Sequence, residues 1–355
     1  MRIALIVPPF IPVPPIRYGG TELFAAQLAQ GLDRLGFDVV VYTNGESTVP
    51  VEKRWIYPES LWPINAEIHS DLRDINHGAW AVRDAVESCD ILHLSNAPSL
   101  AFTRFTNTPC VYTIHHAHED SLSNLYSFYP DVWYVSISEF QRKLEHLKNV
   151  RTIHHGLDET IYHQGKGKRS HFVFLGRIAP VKGTHLAIEV AKRTGIPLKI
   201  AGEIQPMFRR YFEEQVEPHI DGKFIEYVGE ADLAMKNELL GSSLGLLFPI
   251  QWDEPFGLVM IEAMACGAPV YALPGGSVAE VVEHGVSGYI CDSVEKMVEL
   301  GKSAESFDFS RVRQYMLDKF SVGKMVQNYA ELYMEIAGQT AASADVDLDE
   351  PRAIA

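Results

Sequence analysis

Basic residues are scarce in this 355-residue chain: 31 Lys and Arg stand against 46 Asp and Glu, a formal net charge of −15. That balance disfavours nucleic acid and anionic lipid as general partners and leaves room only for a local basic pocket. Cysteine is scarcer still. Cys89, Cys110, Cys266 and Cys291 show no C-x-x-C spacing, so the expectation is reduced, buried thiols in a cytoplasmic protein. Long hydrophobic runs are missing too. The opening MRIALIVPPF is halted by Pro8 and Pro9, too short for a transmembrane segment and without a cleavage-type region. It reads as a buried first strand.

What is present is an ordinary globular composition, 46% hydrophobic, and a length that suits two domains better than one. Short Val/Ile-rich runs alternate with longer amphipathic ones, the pattern of an α/β chain with parallel sheets. In the first half, strands are predicted at residues 2–7, 39–42, 91–94, 111–114, 133–135 and 151–154, with helices over 21–35 and 70–87. HQGKGKRS, residues 163–170, is polar, lacks a core pattern and reads as a linker. A second series then begins: HFVFLGRI, PLKIAGE, FIEYVGE, LGLLFPI and PVYALPGG each run from an apolar stretch into Gly or Pro. Two Rossmann-like, doubly wound domains facing a central cleft follow, over 1–165 and 166–321. A helix near 322–337 is expected to pack back on the first domain, and 338–355 to form a mobile acidic tail. The tail's DVDLDE offers a D-x-D pattern but reads as solvating charge.

In open parallel sheets, ligands collect where strands end and helices begin. In FLGRIAPVKG, Gly176 and Arg177 follow a strand, and Lys182 with Gly183 opens a helix. Two cations beside helix N–H groups form an anion site; alone, the pair also fits a surface Arg and a helix-start Lys. In IRYGGTE, Gly19 and Gly20 let backbone approach a ligand, and Thr21 is placed to cap a helix. It is not G-x-G-x-x-G, so the dinucleotide fingerprint is absent, and a plain flexible turn reads equally well. VYTIHHAHE ends a strand at His115, with His116, His118 and Glu119 behind it. Adjacent histidines on one loop rarely point to one metal, so a single polar His115 at the strand tip is preferred and His116 and His118 read as solvated.

WDEPFGLVMIEAMACGAPV, residues 252–270, sets two carboxylates, Glu254 and Glu262, at the ends of an apolar run. With Pro255 in a first turn, the helix is expected from Phe256 or Gly257, leaving Glu254 at the cap and Glu262 about two turns in. The two suit hydroxyls at opposite ends of a long ligand, with phosphates between them on the N–H groups of Phe256, Gly257 and Leu258. A nucleotide sugar has that layout. For Glu254, plain N-capping is the competing reading.

These residues resemble those of the retaining glycosyltransferases of family 4, which adopt the GT-B fold. EPFGLVMIEAMACGAPV is similar to the family's E-x7-E motif, RYGGTE to its glycine loop, and GRIAPVKG to its arginine–lysine pair. VYTIH, SISEFQR, HHGLDETIY, LKIAGE and LPGGSVAEVVEHGVSGYI match in order, so the resemblance runs from Met1 to about Ile336. It implies that Arg177 and Lys182 stabilise a departing diphosphate, that Glu254 faces the donor sugar, and that Glu262 binds the ribose. Phe256, Gly257, Leu258, Gly202, Gly19 and Gly20 would line the donor, and His115 would contact the reacting sugar. His155 departs from the family, which often has Asn there. The resemblance further implies a hexosyltransferase working with retention and using a nucleotide sugar, most commonly UDP-glucose, with no metal and no other cofactor. A sugar, lipid or small-molecule aglycone would be the acceptor, with no nucleic acid partner. Aromatics of the first domain (Trp55, Trp62, Trp80, Tyr126, Phe128, Tyr129, Trp133) offer stacking surfaces for it or simply pack. The rival readings are a nucleotide-sugar epimerase of the same architecture and a non-catalytic sugar- or nucleotide-binding protein.

Overall fold

The structure, a computed structural model, describes residues 1–16, 19–62, 64 and 69–349. Arg17 and Tyr18 of the glycine loop, and the chain after Asp349, lie outside the described residues. The chain divides into two compact units. One comprises 1–137, 142–156 and the chain from Val322 onward; the other comprises 138–141 and 157–321. Residues 157–165, expected to close the first domain, therefore belong with the second.

The first unit holds seven parallel strands: β1 (Arg2–Ile6), β2 (Asp38–Tyr42), β3 (Glu52–Arg54), β4 (Ile91–Leu94), β5 (Cys110–Ile114), β6 (Trp133–Ser136) and β7 (Val150–Thr152). Their order is β3-β2-β1-β4-β5-β6-β7, with the direction of winding reversing between β1 and β4. Both faces of the sheet are covered, so strand residues sort by alternation into two cores. Ile3, Leu5, Val39, Val41, Ile91 and Val111 pack under the helices Gly20–Arg34 and Val322–Asp349. Ala4, Ile6, Val40, Tyr42, Leu92 and Tyr112 face the helix Ser70–Ala85. Gly31 allows the two helices of the first face to touch, since a Cβ there would lie 2.3 Å from a Val326 methyl. That last helix continues to Asp349 rather than ending near 337.

The same face buries a polar chain. His93 Nδ1 lies 2.6 Å from the Tyr333 hydroxyl, His93 Nε2 lies 2.8 Å from Thr113 Oγ1, and the Tyr329 hydroxyl is 2.9 Å from that threonine. Burial pushes the His93 pKa down to about 3, so the ring is neutral and each nitrogen has a hydroxyl partner.

The second unit repeats the plan with six parallel strands: β8 (His171–Leu175), β9 (Leu198–Ala201), β10 (Ile225–Gly229), β11 (Ser243–Phe248), β12 (Val270–Ala272) and β13 (Gly288–Ile290). Their order, β10-β9-β8-β11-β12-β13, reverses between β8 and β11. The stretch read as a featureless linker is anchored here. Arg169 is buried, donates to the carbonyls of Leu240 (3.2 Å), Ser243 (2.7 Å) and Cys266 (3.0 Å), and lies 4.5 Å from the Phe309 ring. Gly165 is pressed so closely on Gly241 that a Cβ would fall 1.6 Å from its carbonyl oxygen. A polar segment showed no apolar period because carbonyls, not side chains, receive it.

The four cysteines are buried and free. Among the described residues no helix is long and apolar enough to cross a membrane.

Replacing Arg169 with Leu would strand three buried carbonyls. The expected loss is roughly 2–5 kcal/mol in chemical denaturation; a change within about 0.5 kcal/mol, the range of an ordinary surface substitution, would contradict the anchoring role.

Candidate active site

The strand order reverses between β8 and β11, the position where open parallel sheets take ligands beyond the strands' carboxyl ends, and the predicted anion-binding residues follow these strands. Gly176 and Arg177 follow β8. Gly202, which the resemblance places among the donor-lining residues, follows β9 and abuts this turn: a Cβ on it would lie 1.8 Å from the Gly176 carbonyl oxygen. A glycine is needed there for two strand ends to meet. Arg177 is partly exposed, 3.4 Å from the Gln205 side-chain amide oxygen Oε1 and 5.8 Å from the Phe208 ring, with no carboxylate partner among the described residues. Lys182 ends a short 3-10 turn, Pro180–Lys182, and the helix begins only at Thr184. Gly183 between them has φ 73°, and a Cβ on it would meet the Pro249 carbonyl at 2.0 Å.

The stretch after β11 departs from expectation in its boundaries. The helix runs Leu258–Ala265 and is capped by Gly257 at φ 79°, so Pro255 precedes it by a full turn and Glu262 lies little more than one turn inside. No side chain caps it, so Glu254 is not an N-cap. Residues Met260 to Ala265 are all buried. At the far end, the guanidinium of Arg313 donates to the Ala265 carbonyl and that of Arg169 to Cys266. Two cations at the C-terminus complement the helix dipole, leaving the N–H groups of Leu258 and Val259 as the positive end. The loop carrying Gly275 and Gly276 clamps the approach: Ser277 N–H donates to the Glu254 carbonyl and Ser277 Oγ to that of Phe256, each at 2.9 Å. Phe256 itself is core, edge-on to Phe320 at 5.9 Å.

Both carboxylates are buried, and each is held by one ammonium and one aromatic donor. Glu254 Oε2 receives Lys182 Nζ at 2.5 Å and the Trp252 indole N–H at 2.9 Å. Glu262 Oε1 receives Lys236 Nζ at 2.8 Å and the Tyr162 hydroxyl at 2.7 Å. In each case both donors take the same oxygen. The second oxygen of Glu262 is buried and has no partner among the described residues. A buried carboxylate oxygen with no donor is an open acceptor site.

In the first unit, the glycine loop precedes the helix Gly20–Arg34. Gly19 is its cap, with φ 147°, and Thr21 lies inside the helix instead of capping it. Glu22, which sequence reasoning passed over, is buried in the first turn, and burial raises its carboxyl pKa to about 7. His115 directly follows β5, at the strand tip where it was expected. Its ring stacks on His155 (5.6 Å, 3°) and meets the edge of Phe24 at 4.8 Å, while Nε2 is buried with no partner among the described residues. Burial and the neighbouring histidines hold its pKa well below the usual range, so it is a neutral ring.

His116 and His118, expected to be solvated, are both engaged. His116 Nε2 lies 2.5 Å from the Tyr126 hydroxyl, and His118 Nδ1 lies 2.9 Å from Glu145, whose other oxygen takes the Ser123 hydroxyl at 2.6 Å. The three histidines thus turn to three different partners, and the described residues contain no cluster of metal-ligand type. Of the aromatics offered for stacking, Tyr126 and Tyr129 are core, Trp80 packs on Tyr42 at 5.4 Å, and Trp133 packs against the first core. Trp55, Trp62 and Phe128 stay exposed.

Comparison with known proteins decides what this arrangement belongs to. The family model described as Glycosyltransferase Family 4 matches residues 18–161, and the one described as Glycosyl transferases group 1 matches 160–307. The chain is a glycosyltransferase of the GT-B fold. N-acetyl-alpha-D-glucosaminyl L-malate synthase of Bacillus anthracis is 22% identical over 375 residues, covering 90% of this chain and 94% of the relative. Sucrose synthase 2 of Pisum sativum matches more closely but locally, 35% over 77 residues, which is 21% of this chain and 10% of the relative. Among solved structures, sucrose-phosphate synthase from Thermosynechococcus elongatus superposes with a TM-score of 0.79 at 17% identity, over 95% of this chain and 99% of that one. HepE of Anabaena, solved with UDP and glucose, gives 0.74 at 18%, over 94% and 100%. Both matching models describe transferases, so the epimerase reading is not favoured.

Sequence reasoning missed Trp252, Tyr162 and Lys236, the further donors to this glycosyltransferase's two buried carboxylates, and the buried Glu22. Trp252 stood in the stretch that drew attention, two residues before its carboxylate. Lys236 and Tyr162 lie far from Glu262 along the chain, and nothing local marks them.

Contact with Glu145 raises the His118 pKa. A raised pKa in the folded state gives stability that is complete below the unfolded value and is lost as pH climbs through the folded one. The melting-temperature deficit of His118→Gln is therefore expected to be larger at about pH 5.5 than at about pH 9; a deficit that grows with pH would contradict the pairing.

Proposed function

We propose that this glycosyltransferase moves a hexose from a nucleotide-diphosphate sugar to an acceptor hydroxyl with retention at the anomeric carbon and without a metal. The observation that carries the reading is the reversal of strand order between β8 and β11, where Arg177, Lys182 and the positive end of the helix Leu258–Ala265 share one strand-end region with Glu254. UDP-glucose is the first donor to test. HepE, a structural neighbour, has been solved with it.

In the reaction, the bond between the anomeric carbon and the diphosphate oxygen breaks, and negative charge grows on the diphosphate. Arg177, Lys182 and the N–H groups of Leu258 and Val259 oppose that charge, a role that needs no metal. The acceptor oxygen bonds to the same face of the carbon, and its proton passes to a donor phosphate oxygen. Glu254 acts as an electrostatic partner of the positively charged sugar ring. Glu262 takes the ribose hydroxyls on its open oxygen, held in place by Lys236 and Tyr162. The neutral imidazole of His115 lies against the sugar near its reacting carbon, and Gly19 and Gly20 let the first unit's backbone approach the diphosphate. The acceptor, a sugar, lipid or small aglycone, is assigned to the first unit, where Trp55 and Trp62 offer exposed rings. A cytoplasmic setting accords with the four free cysteines.

A thermal-shift screen of nucleotide sugars tests the reading first: a donor at one hundred times its dissociation constant stabilises by about 2.7 kcal/mol. The stabilising donor, given sugar, lipid and phenolic acceptors, should yield a glycoside with the donor's anomeric configuration. Conversion of donor alone into an isomer, or an inverted product, would overturn it. Lys182→Met should lower kcat by about 10²–10³-fold, far more than it weakens donor binding, because its interaction grows with the leaving-group charge. Equal losses would contradict that role. Lys236→Met should raise the donor KM by about tenfold with kcat nearly retained, the mark of a contact made equally in ground and transition states. A loss confined to kcat would remove Lys236 from the ribose site.

A further inference from the structure

The cation assigned to the leaving group is already occupied. Lys182 Nζ rests 2.5 Å from Glu254 Oε2 and 4.5 Å from the centre of the Trp252 ring, while the Trp252 indole N–H donates to that same carboxylate oxygen. The ammonium side chain is 17% exposed and the carboxylate 8%, so this is a largely desolvated pair in which each charge needs the other. Arg177, by contrast, has no carboxylate partner among the described residues.

We propose that Lys182 and Glu254 exchange partners when the donor binds, with Trp252 as the positioning residue that keeps Glu254 in place during the exchange. Lys182 leaves the carboxylate for the diphosphate. Glu254 retains the indole N–H and takes donor-sugar hydroxyls in place of the ammonium. This rests on the donor site described above and adds a specificity to it. An intact nucleotide sugar repairs both halves of the broken pair, since its diphosphate receives the cation and its sugar receives the carboxylate. A nucleoside diphosphate, the product, repairs only one and leaves a buried carboxylate with Trp252 alone. The resting pair therefore discriminates against product and favours its release. A ligand that must first displace an internal partner binds more weakly by the fraction of protein in which that partner is already free.

Two measurements test this, with UDP, ADP and GDP as probes. The first is calorimetry of the nucleoside diphosphate and of the matching nucleotide sugar with wild type and Glu254→Gln. Removing the resting partner should tighten the diphosphate by about tenfold, because the displacement step disappears, and should collapse the preference for the nucleotide sugar over it. The second follows the tryptophan indole N–H signals by nuclear magnetic resonance; the chain has five tryptophans, and Trp252→Phe identifies the signal of interest. In wild type the Trp252 signal should move when diphosphate binds. In Lys182→Met it should start displaced and move far less at saturation, a response that the added negative charge of the diphosphate does not by itself produce. If diphosphate binds wild type but Glu254→Gln binds it no tighter, or the Trp252 signal moves equally in Lys182→Met, the exchange is wrong and the donor site stands. If none of the three diphosphates binds wild type, the donor site itself fails.

Discussion

A carboxylate cannot stay ionised in an apolar junction of strand and helix without hydrogen-bond donors, and the second unit is arranged around supplying them twice. Glu254 and Glu262 flank a helix end with almost no polar face. Each is met by an ammonium and an aromatic N–H or O–H on a single oxygen. Concentrating both donors on one oxygen leaves the second oxygen of Glu262 buried and without a partner among the described residues. Replacing either glutamate with an apolar residue would pack well but would leave a lysine without its partner in partly buried surroundings.

The supporting shell is built mostly from backbone. Close approaches at Gly176 and Gly202, at Gly183 and Pro249, and at Gly276 and Glu254 bring loop main chains within van der Waals contact. Arg169 and Arg313 hold the C-terminal carbonyls of the helix Leu258–Ala265, so its N-terminus is fixed from behind. In the first unit the device is different. His93, His115 and His155 are neutral because they are buried around Phe24, with the pKa values of His93 and His155 each pushed down to about 3. A neutral imidazole at a strand end offers a hydrogen bond without a charge.

Much of this was legible in the chain. Alternating apolar runs that end in glycine or proline located most of the longer strands and, with them, both sheets, since a strand buried on two faces must be apolar throughout. They missed β3, Glu52–Arg54, whose residues are polar because it is an edge strand. The residues that follow β8 and β11, Arg177, Lys182 and Glu254, were picked out because charge beside glycine at a strand end is conspicuous. Helix starts were misjudged at Thr21 and Pro255, where glycines in unusual conformations, not side-chain caps, set the boundary. His116 and His118 were misread because exposure cannot be seen in a loop sequence.

Composition and order alone determined the α/β class, the repeated strand-to-glycine pattern and the carboxylates at the two ends of WDEPFGLVMIE, because these depend on periodicity and local turn chemistry. Only the tertiary structure decided which donor each carboxylate receives. Lys182 and Glu254 are 72 positions apart and Tyr162 and Glu262 are 100, and no local rule links residues so distant. Their meeting is a product of sheet order, which places β8 beside β11 and brings loops from remote parts of the chain to one edge.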